Sequence, residues 1–275
     1  MSDDGYRMTI QAPAKVNLAL RILARRADGY HEIETLMAPI SLADEIDIEL
    51  SPGSGIEVTC DDPEIPCGPE NLVWRAAEAF QKKTGRMFSA KIAIRKKIPH
   101  GAGLGGGSSD AAAVIKALDR LLETKLPVTD LEEIAGTLGS DVPFFIRCKP
   151  ALCRGRGEQI TPADGVPPAN LLLLKPPFPV STAWAYQAWK PSMPSTRQFL
   201  GKIELVNDLE FPVFHKYLLF PVIKDWLLEQ EEVAAAMMTG SGSTLFAVLR
   251  KDGGSLAQRA KEKFGKTLWT AEVAI

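Results

Sequence analysis

Between Pro99 and Asp110 the chain reads Pro-His-Gly-Ala-Gly-Leu-Gly-Gly-Gly-Ser-Ser-Asp, which places five glycines within seven residues. No other segment restricts the fold as much. Each glycine carries a large backbone entropy cost on folding and brings no side chain to a core, so this stretch is neither strand nor helix interior. It runs directly into Ala111–Leu122, an alanine-rich stretch with helical texture. When a glycine loop opens a helix, backbone N–H groups converge on one point and the helix dipole adds positive charge there. The result is a phosphate cradle. Ser108 and Ser109 add hydroxyls at the helix start, and Lys96 and Lys97 lie just upstream. The plainer alternative, a flexible turn, needs only one or two glycines.

Two familiar phosphate loops do not match. Gly101, Gly103 and Gly106 satisfy G-x-G-x-x-G, but a dinucleotide fold wants an acidic residue about 20 positions on. Thr124-Lys125-Leu126-Pro127 stands there instead. A Walker loop ends in GK[ST], and no lysine follows these glycines.

Composition narrows the class further. With 275 residues, 45% hydrophobic and 24% charged, the chain fits an ordinary globular protein of one large or two compact domains. Lys and Arg number 32 against 34 Asp and Glu, for a net charge of -2. No global field draws it to a nucleic acid or an anionic membrane, and neither partner is expected. Cys60, Cys67, Cys148 and Cys153 form no C-x-x-C pair, which disfavours a thiolate zinc site and leaves reduced packing cysteines. The start, Met1-Ser2-Asp3-Asp4, is acidic where a signal peptide is basic, and no apolar run approaches the ~20 residues that span a bilayer. A cytoplasmic location is expected.

Alternating apolar and polar positions over Met8–Ala12, Lys15–Leu23, His31–Ile40 and Asp44–Leu50, with Arg26-Ala27-Asp28-Gly29 as a turn, predict strands and hairpins. Asn71 caps a predicted helix through Phe80 that Gly85 ends, and a strand covers Lys91–Ile98. Thr129 and Glu132 suggest a capping box for a helix reaching toward Gly139. A proline-rich stretch beyond Ile160 marks a domain boundary, giving domains 1–160 and 161–275. The second holds predicted strands at Leu171–Lys175, Thr244–Leu249 and Trp269–Ala274, with helices from Thr182, between Val213 and Met238, and from Ser255. The class is α+β.

Pro99–Ala113 resembles the second motif of the GHMP kinases, the superfamily of galactokinase, homoserine kinase and mevalonate kinase. Pro13-Ala14-Lys15-Val16-Asn17-Leu18 is similar to its N-terminal motif, and Thr239-Gly240-Ser241-Gly242-Ser243 to its C-terminal glycine motif. The three motifs stand in the family's order from residue 13 to residue 243. Arg26-Ala27-Asp28-Gly29-Tyr30-His31, Gly105–Asp110, Leu138–Pro143, Gly155-x-Gly157-Glu158 and Ser181-Thr182 resemble the branch acting on cytidine diphospho-methylerythritol. The resemblance implies a two-domain GHMP kinase fold with the active site in the cleft between the domains. It also implies transfer of the ATP γ-phosphate, with Mg2+, to the 2-hydroxyl of a cytidine diphospho-sugar-alcohol in the non-mevalonate isoprenoid pathway.

Individual residues carry a functional and a plainer reading side by side. Asp141 lies at a bend before Val142-Pro143-Phe144-Phe145. It suits a helix N-cap, while the resemblance makes it the catalytic base that accepts the hydroxyl proton. Lys15 interrupts an apolar strand. It either snorkels outward or, by resemblance, keeps Asp141 ionised and stabilises developing negative charge. Asn17 lies two residues on and so shares its strand face, as an orienting amide or an edge residue.

Tyr30 and His31 suit a flat pyrimidine, the ring stacking and the imidazole bonding the base edge, and by resemblance they hold the cytidine. The plainer reading is surface or core filler. Tyr186 matches the second stacking aromatic, or packs its helix beside Trp184 and Trp189. The resemblance assigns the ATP site to Lys96, Pro99, Gly101, Gly103, Leu104, Gly105, Gly106, Gly107, Ser108 and Ser109, although Lys96 also reads as an exposed strand-end lysine. It assigns the acceptor to Thr182, Gly240, Ser241 and Gly242 alongside Asn17, Tyr30, His31 and Tyr186; the second glycine loop also reads as a tight turn. Ser109 or Asp110 is the candidate magnesium contact. Arg154 and Arg156 acquire no role. Two other readings stay open: a GHMP kinase of the homoserine or mevalonate class, and a nucleotide-binding regulatory protein without chemistry.

Overall fold

The computed structural model describes residues 6–251 and 253–275; the acidic Met1–Asp4 stretch lies outside them. The chain divides into two compact units that interleave along the sequence. The first takes the stretch to Ala14, Leu42–His100 and Gly105–Lys149, and the second takes Lys15–Ser41, Gly101–Leu104 and Pro150–Ile275. The proline-rich stretch after Ile160 lies inside the second.

The four short alternating blocks at the start form two long strands, β1 (Tyr6–Arg25) and β2 (His31–Ser51), and each passes from one unit to the other. Both strands run through the breaks expected at residues 13–14 and 41–43, and Ala14 is a buried core residue rather than a turn residue. Between them, Arg26–Tyr30 turns as expected, with the Arg26 N–H donating to the Tyr30 carbonyl at 2.8 Å.

In the first unit, β4 (Ser89–Arg95) pairs antiparallel with β2 from Glu45↔Arg95 to Ser51↔Ser89, and β3 (Ile56–Cys60) pairs parallel with β4. Four helices complete it: α1 (Leu72–Thr84), α2 (Gly106–Leu121), α3 (Val128–Gly136) and α4 (Val142–Arg147). The Asn71 side chain accepts from the Val73 N–H at 2.8 Å and Gly85 ends α1, as read from the sequence. The capping box at Thr129 does not form. Pro127 precedes α3 instead, its carbonyl accepting from Asp130 and Leu131 at 2.9 and 3.2 Å, so Thr129 already lies inside the first turn. Ile46, Ile48, Phe80, Val114, Phe144 and Phe145 are completely buried. Burial of such side chains contributes about 1.5–3 kcal/mol each.

The second unit carries a four-stranded antiparallel sheet in the order β10 (Val233–Met238), β11 (Leu245–Leu249), β7 (Asn170–Lys175), β12 (Trp269–Ala274). Leu171–Leu174 are wholly buried, which is why β7 reads as an unbroken apolar run. Helices α5 (Thr182–Ala188), α6 (Glu210–Lys216), α7 (Leu219–Leu228) and α8 (Leu256–Phe264) belong to this unit. Its core gathers Leu20, Leu172, Val213, Phe220, Ile223, Leu245 and Leu256.

Val233–Met238, expected at the end of a helical run, is strand β10. Its alanines favour helix, but register with β11 from Val233↔Leu249 to Met238↔Leu245 overrides that preference. Strands β5 (Ala151–Gly155) and β6 (Gln159–Pro162), which no pattern in the sequence marks, extend from Ile33–Met37 of β2. Likewise β8 (Arg197–Leu200) and β9 (Ile203–Asn207) extend from β1, with Ala19↔Val206 in parallel register.

Candidate active site

In the second unit, the pleat of β1 sends Lys15 and Asn17 to the same face, and each is only 4% exposed. The outward-snorkelling reading of Lys15 therefore does not hold. Its ammonium donates to Asn17 Oδ1 at 2.6 Å and to the Gly103 carbonyl at 2.9 Å, while its backbone N–H donates to the Leu104 carbonyl at 3.0 Å. Asn17 is fixed in turn. Its N–H donates to Thr239 Oγ1 at 2.8 Å and its Nδ2 to Thr35 Oγ1 at 2.8 Å, and that hydroxyl donates to the Ala19 carbonyl at 2.6 Å.

The second glycine loop closes on the same cluster. The Thr239 N–H donates to the Thr244 carbonyl at 2.9 Å and the Gly242 N–H to the Thr239 carbonyl at 3.0 Å. A methyl on Gly240 would lie 3.3 Å from Asn17 Oδ1 and 3.5 Å from Lys15 Nζ, so backbone approaches the ammonium directly. Gly103 has φ +74°, and a methyl there would fall 2.7 Å from the Gly242 carbonyl oxygen and 2.9 Å from that of Thr239. Only glycine fits. Thr182, on α5, shares a hydrogen bond with Ser241 at 2.8 Å.

Asn207, at the end of β9, was not singled out in sequence. It is 1% exposed and donates from Nδ2 to the Met238 and Gly240 carbonyls at 2.7 and 2.9 Å. An amide ending the apolar run Leu205-Val206 was the available signal.

The later part of the long glycine loop belongs to the first unit. Gly105 precedes α2, and Ser109 donates its N–H to the Gly105 carbonyl at 2.9 Å and its hydroxyl to the Pro13 carbonyl at 2.7 Å. Gly107 is exposed and Ser108 half-buried at the helix start, where N–H groups are open to an anion.

Lys96 is buried here rather than exposed at a strand end. Its ammonium pairs with Asp44 and with Asp110 Oδ2, the latter at 2.8 Å. Burial, reinforced by the Asp44 charge, pushes the Asp110 carboxyl up to about 7 against the pull of Lys96. The same two carboxylates raise the Lys96 ammonium against the opposing effect of its own burial. Asp141 stands at the N-cap position of α4, yet its carboxylate accepts no hydrogen bond from the helix; the Val142 N–H donates to the Gly139 carbonyl at 3.3 Å. The capping reading of Asp141 is therefore not what its geometry serves.

Magnesium does not fit the two residues suggested for it. Ser109 and Asp110 are 1% and 3% exposed. The hydroxyl of Ser109 is turned to Pro13 and the Asp110 carboxylate rests on an ammonium. A hydrated ion that keeps several waters does not reach such groups. Among the described residues there is no cluster of three or more His, Cys, Asp and Glu able to hold a metal.

The aromatic corner lies in the second unit. His31 stacks on Tyr186 with centroids 5.5 Å apart and meets Trp189 edge-on at 6.1 Å. Burial and Arg25 hold its imidazole below the usual value, so it is a neutral donor and acceptor at pH 7. Tyr30 is 56% exposed, with the Arg156 guanidinium 5.0 Å from its ring centre. The turn below is held by Asp28, which accepts from the Tyr30 N–H at 3.1 Å and pairs with Arg26. Thus His31 and Tyr186 meet each other, while Tyr30 stays largely exposed with Arg156 over its ring.

Residues 71–149 match the GHMP kinases N terminal domain family. The 4-diphosphocytidyl-2-C-methyl-D-erythritol kinase of Methylacidiphilum infernorum is 45% identical over 270 residues, 94% of this chain and 93% of its own length. The chain belongs to this kinase family. The corresponding kinase of Geobacter metallireducens is 44% identical over 254 residues, covering 89% of this chain and 90% of its own. A crystal structure of 4-(cytidine 5'-diphospho)-2C-methyl-D-erythritol kinase superposes with a TM-score of 0.79 at 35% identity, over 97% of this chain and 99% of that one. Homoserine kinase from Cytophaga hutchinsonii, at TM-score 0.68 and 17% identity over 100% of this chain and 95% of its own, shares the fold alone. The protein is a small-molecule kinase of the GHMP superfamily, and as such uses ATP. Among its described residues no helix is long and apolar enough to cross a membrane.

Proposed function

We propose that this kinase transfers the γ-phosphate of ATP to the 2-hydroxyl of 4-diphosphocytidyl-2-C-methyl-D-erythritol, in the cytoplasm, on the non-mevalonate route to isoprenoid precursors. The observation that carries this reading is the hydrogen-bonded set of Lys15, Asn17, Gly103 and Thr239, in a chain similar along nearly its whole length to kinases of that name.

Phosphoryl transfer asks little covalent chemistry of the protein; positioning and charge stabilisation dominate. Backbone N–H groups at the start of α2, with the helix dipole, receive the ATP phosphates. The Asp141 carboxylate accepts the proton of the attacking hydroxyl. Lys15, aimed by Asn17 and the Gly103 carbonyl, stabilises the charge that develops on the transferring group. Tyr30 stacks on the cytosine ring and His31 bonds its edge, with Tyr186 supporting the imidazole. Thr182 and the Gly240–Gly242 backbone face the acceptor phosphates. Magnesium bound with ATP would supply charge neutralisation at the phosphates.

The test is a phosphorus NMR assay of purified protein with ATP, magnesium and the cytidine diphospho-methylerythritol acceptor. A new phosphomonoester resonance appearing with ADP is the expected result. Its absence, or turnover of homoserine or mevalonate in place of this acceptor, overturns the reading.

A further inference from the structure

Lys96 is the centre of a buried three-charge network that the reaction above does not use directly. Its side chain is 8% exposed, and those of its partners Asp44 and Asp110 are 0% and 4% exposed. Asp44 is itself immobilised, its Oδ1 accepting the backbone N–H groups of Lys97 at 2.5 Å and Ile98 at 2.8 Å. Asp110 stands in the second turn of α2, the helix that the glycine loop opens. The ammonium lies against that loop: a methyl on Gly106 would come within 3.3 Å of Lys96 Nζ and 3.1 Å of Ile98 Cγ2. The network therefore ties β2, the chain leaving β4 and the first turns of α2 together directly under Gly106.

Such a network has little value as a stabiliser, because desolvating three charges consumes most of the Coulomb gain. What it fixes is geometry. Two carboxylates on one ammonium leave Lys96 a single place to sit, and its position limits where the Gly106 backbone can lie.

We infer that Asp44 and Asp110 are positioning residues for nucleotide binding, acting through Lys96 to set the backbone of the glycine loop at Gly106. This rests on the reading that the loop receives ATP. Neither carboxylate touches substrate in this scheme; each acts through the lysine. Asp110→Ala removes one of the two restraints on the ammonium and leaves the loop sequence intact.

Losing a charge-assisted contact that aligns the loop should raise KM for ATP about tenfold, with kcat and the acceptor KM within about twofold of wild type. The dependence on Lys96 is tested by a cycle. Lys96→Met alone strands two buried carboxylates and should lower the melting temperature, and adding Asp110→Ala should recover part of it. In the Lys96→Met background, Asp110→Ala should no longer change KM for ATP. Where Lys96→Met does not fold, Asp110→Asn replaces the cycle: it keeps an acceptor oxygen for Lys96 and should raise KM for ATP less than Asp110→Ala does.

Gly106→Val serves as the control on the loop itself. If it weakens ATP binding while Asp110→Ala lowers stability and leaves KM for ATP unchanged, the network is structural and the inference fails. If neither variant moves ATP binding, the loop is not the ATP site and both readings fail together. An Asp110→Ala effect on KM that persists in full without Lys96 also overturns the proposed route.

Discussion

The Lys15 ammonium and the Gly103 carbonyl lie 2.9 Å apart although 88 positions separate them in the chain. That hydrogen bond joins the N-terminal motif to the long glycine loop, and the Lys15 N–H to Leu104 carbonyl bond beside it makes the attachment two-pronged. The third motif enters through Thr239, which accepts from the Asn17 N–H. Three segments far apart in sequence thus share one buried set of polar contacts.

The first expected outcome concerns Gly103. A methyl there meets two backbone oxygens inside 3 Å on a positive-φ residue, and neither strain relaxes by moving a flexible side chain. Gly103→Ala should destabilise by about 1–3 kcal/mol and lower activity. Gly107→Ala is the contrast, since its nearest neighbour is Leu72 Cδ1 at 3.9 Å and it lies within α2. Its stability should be unchanged or up to about 1 kcal/mol higher. Thermal melts of the pair decide it, and equal stability of the two variants contradicts the packing argument.

A second outcome concerns the pyrimidine. Tyr30 is more than half exposed, with the Arg156 guanidinium against its ring, whereas Tyr186 already packs on His31. Tyr30→Ala should therefore weaken the acceptor by about 1–3 kcal/mol, the range for bases stacked on aromatics, with little effect on ATP. Tyr186→Ala should act on the acceptor too, by freeing His31. Calorimetric titration of both ligands separates these, and parallel losses for ATP and acceptor count against a cytidine pocket.

Much of this was legible in sequence for definable reasons. Asn71 and Gly85 delimit α1 because capping is local chemistry, and Lys15, Asn17, Gly103 and Gly240, which the fold brings together, stand out in sequence because their motifs are contiguous. What escaped detection depends on tertiary contacts. Val233–Met238 carries alanines that favour helix and becomes strand only through pairing with β11. Asp44 reads as one more polar residue in an alternating strand, and Asn207 as a strand end, until the backbone groups they satisfy are known. The interleaving of the two units along the chain follows from β1 and β2, whose length runs through both, and length is hidden when residues 13–14 and 41–43 look like interruptions.

A third outcome is a pH dependence of stability. The Asp110 carboxyl titrates near 3.8 in an ordinary setting and near 7 in the folded protein. Between these values the unfolded chain has lost a proton that the native state retains, so raising the pH draws the equilibrium toward unfolding. Stability contributed by Asp110 is thus full below about pH 4 and declines as pH rises toward 7, at a slope that one proton limits to about 1.4 kcal/mol per pH unit. Asp110→Asn should flatten that decline relative to wild type. Urea unfolding at several pH values from 5 to 7 checks it; parallel profiles for the two proteins mean that Asp110 stays ionised throughout.

The last outcome concerns the chemical step. Asp141→Asn preserves shape and removes the proton acceptor, so turnover should fall by roughly 10²–10⁴, with ATP and acceptor still binding. Lys15→Met removes the ammonium that Asn17 and Gly103 aim, and should cause a loss of similar size. If the two groups serve one transition state, the double variant should lose far less than the product of the single losses, because residues acting as a unit are not additive. Single-turnover rates of the four proteins give the answer directly. Near-normal turnover in Asp141→Asn removes it as the base, and losses that multiply show two independent roles, so that a different carboxylate or a different cation works beside each.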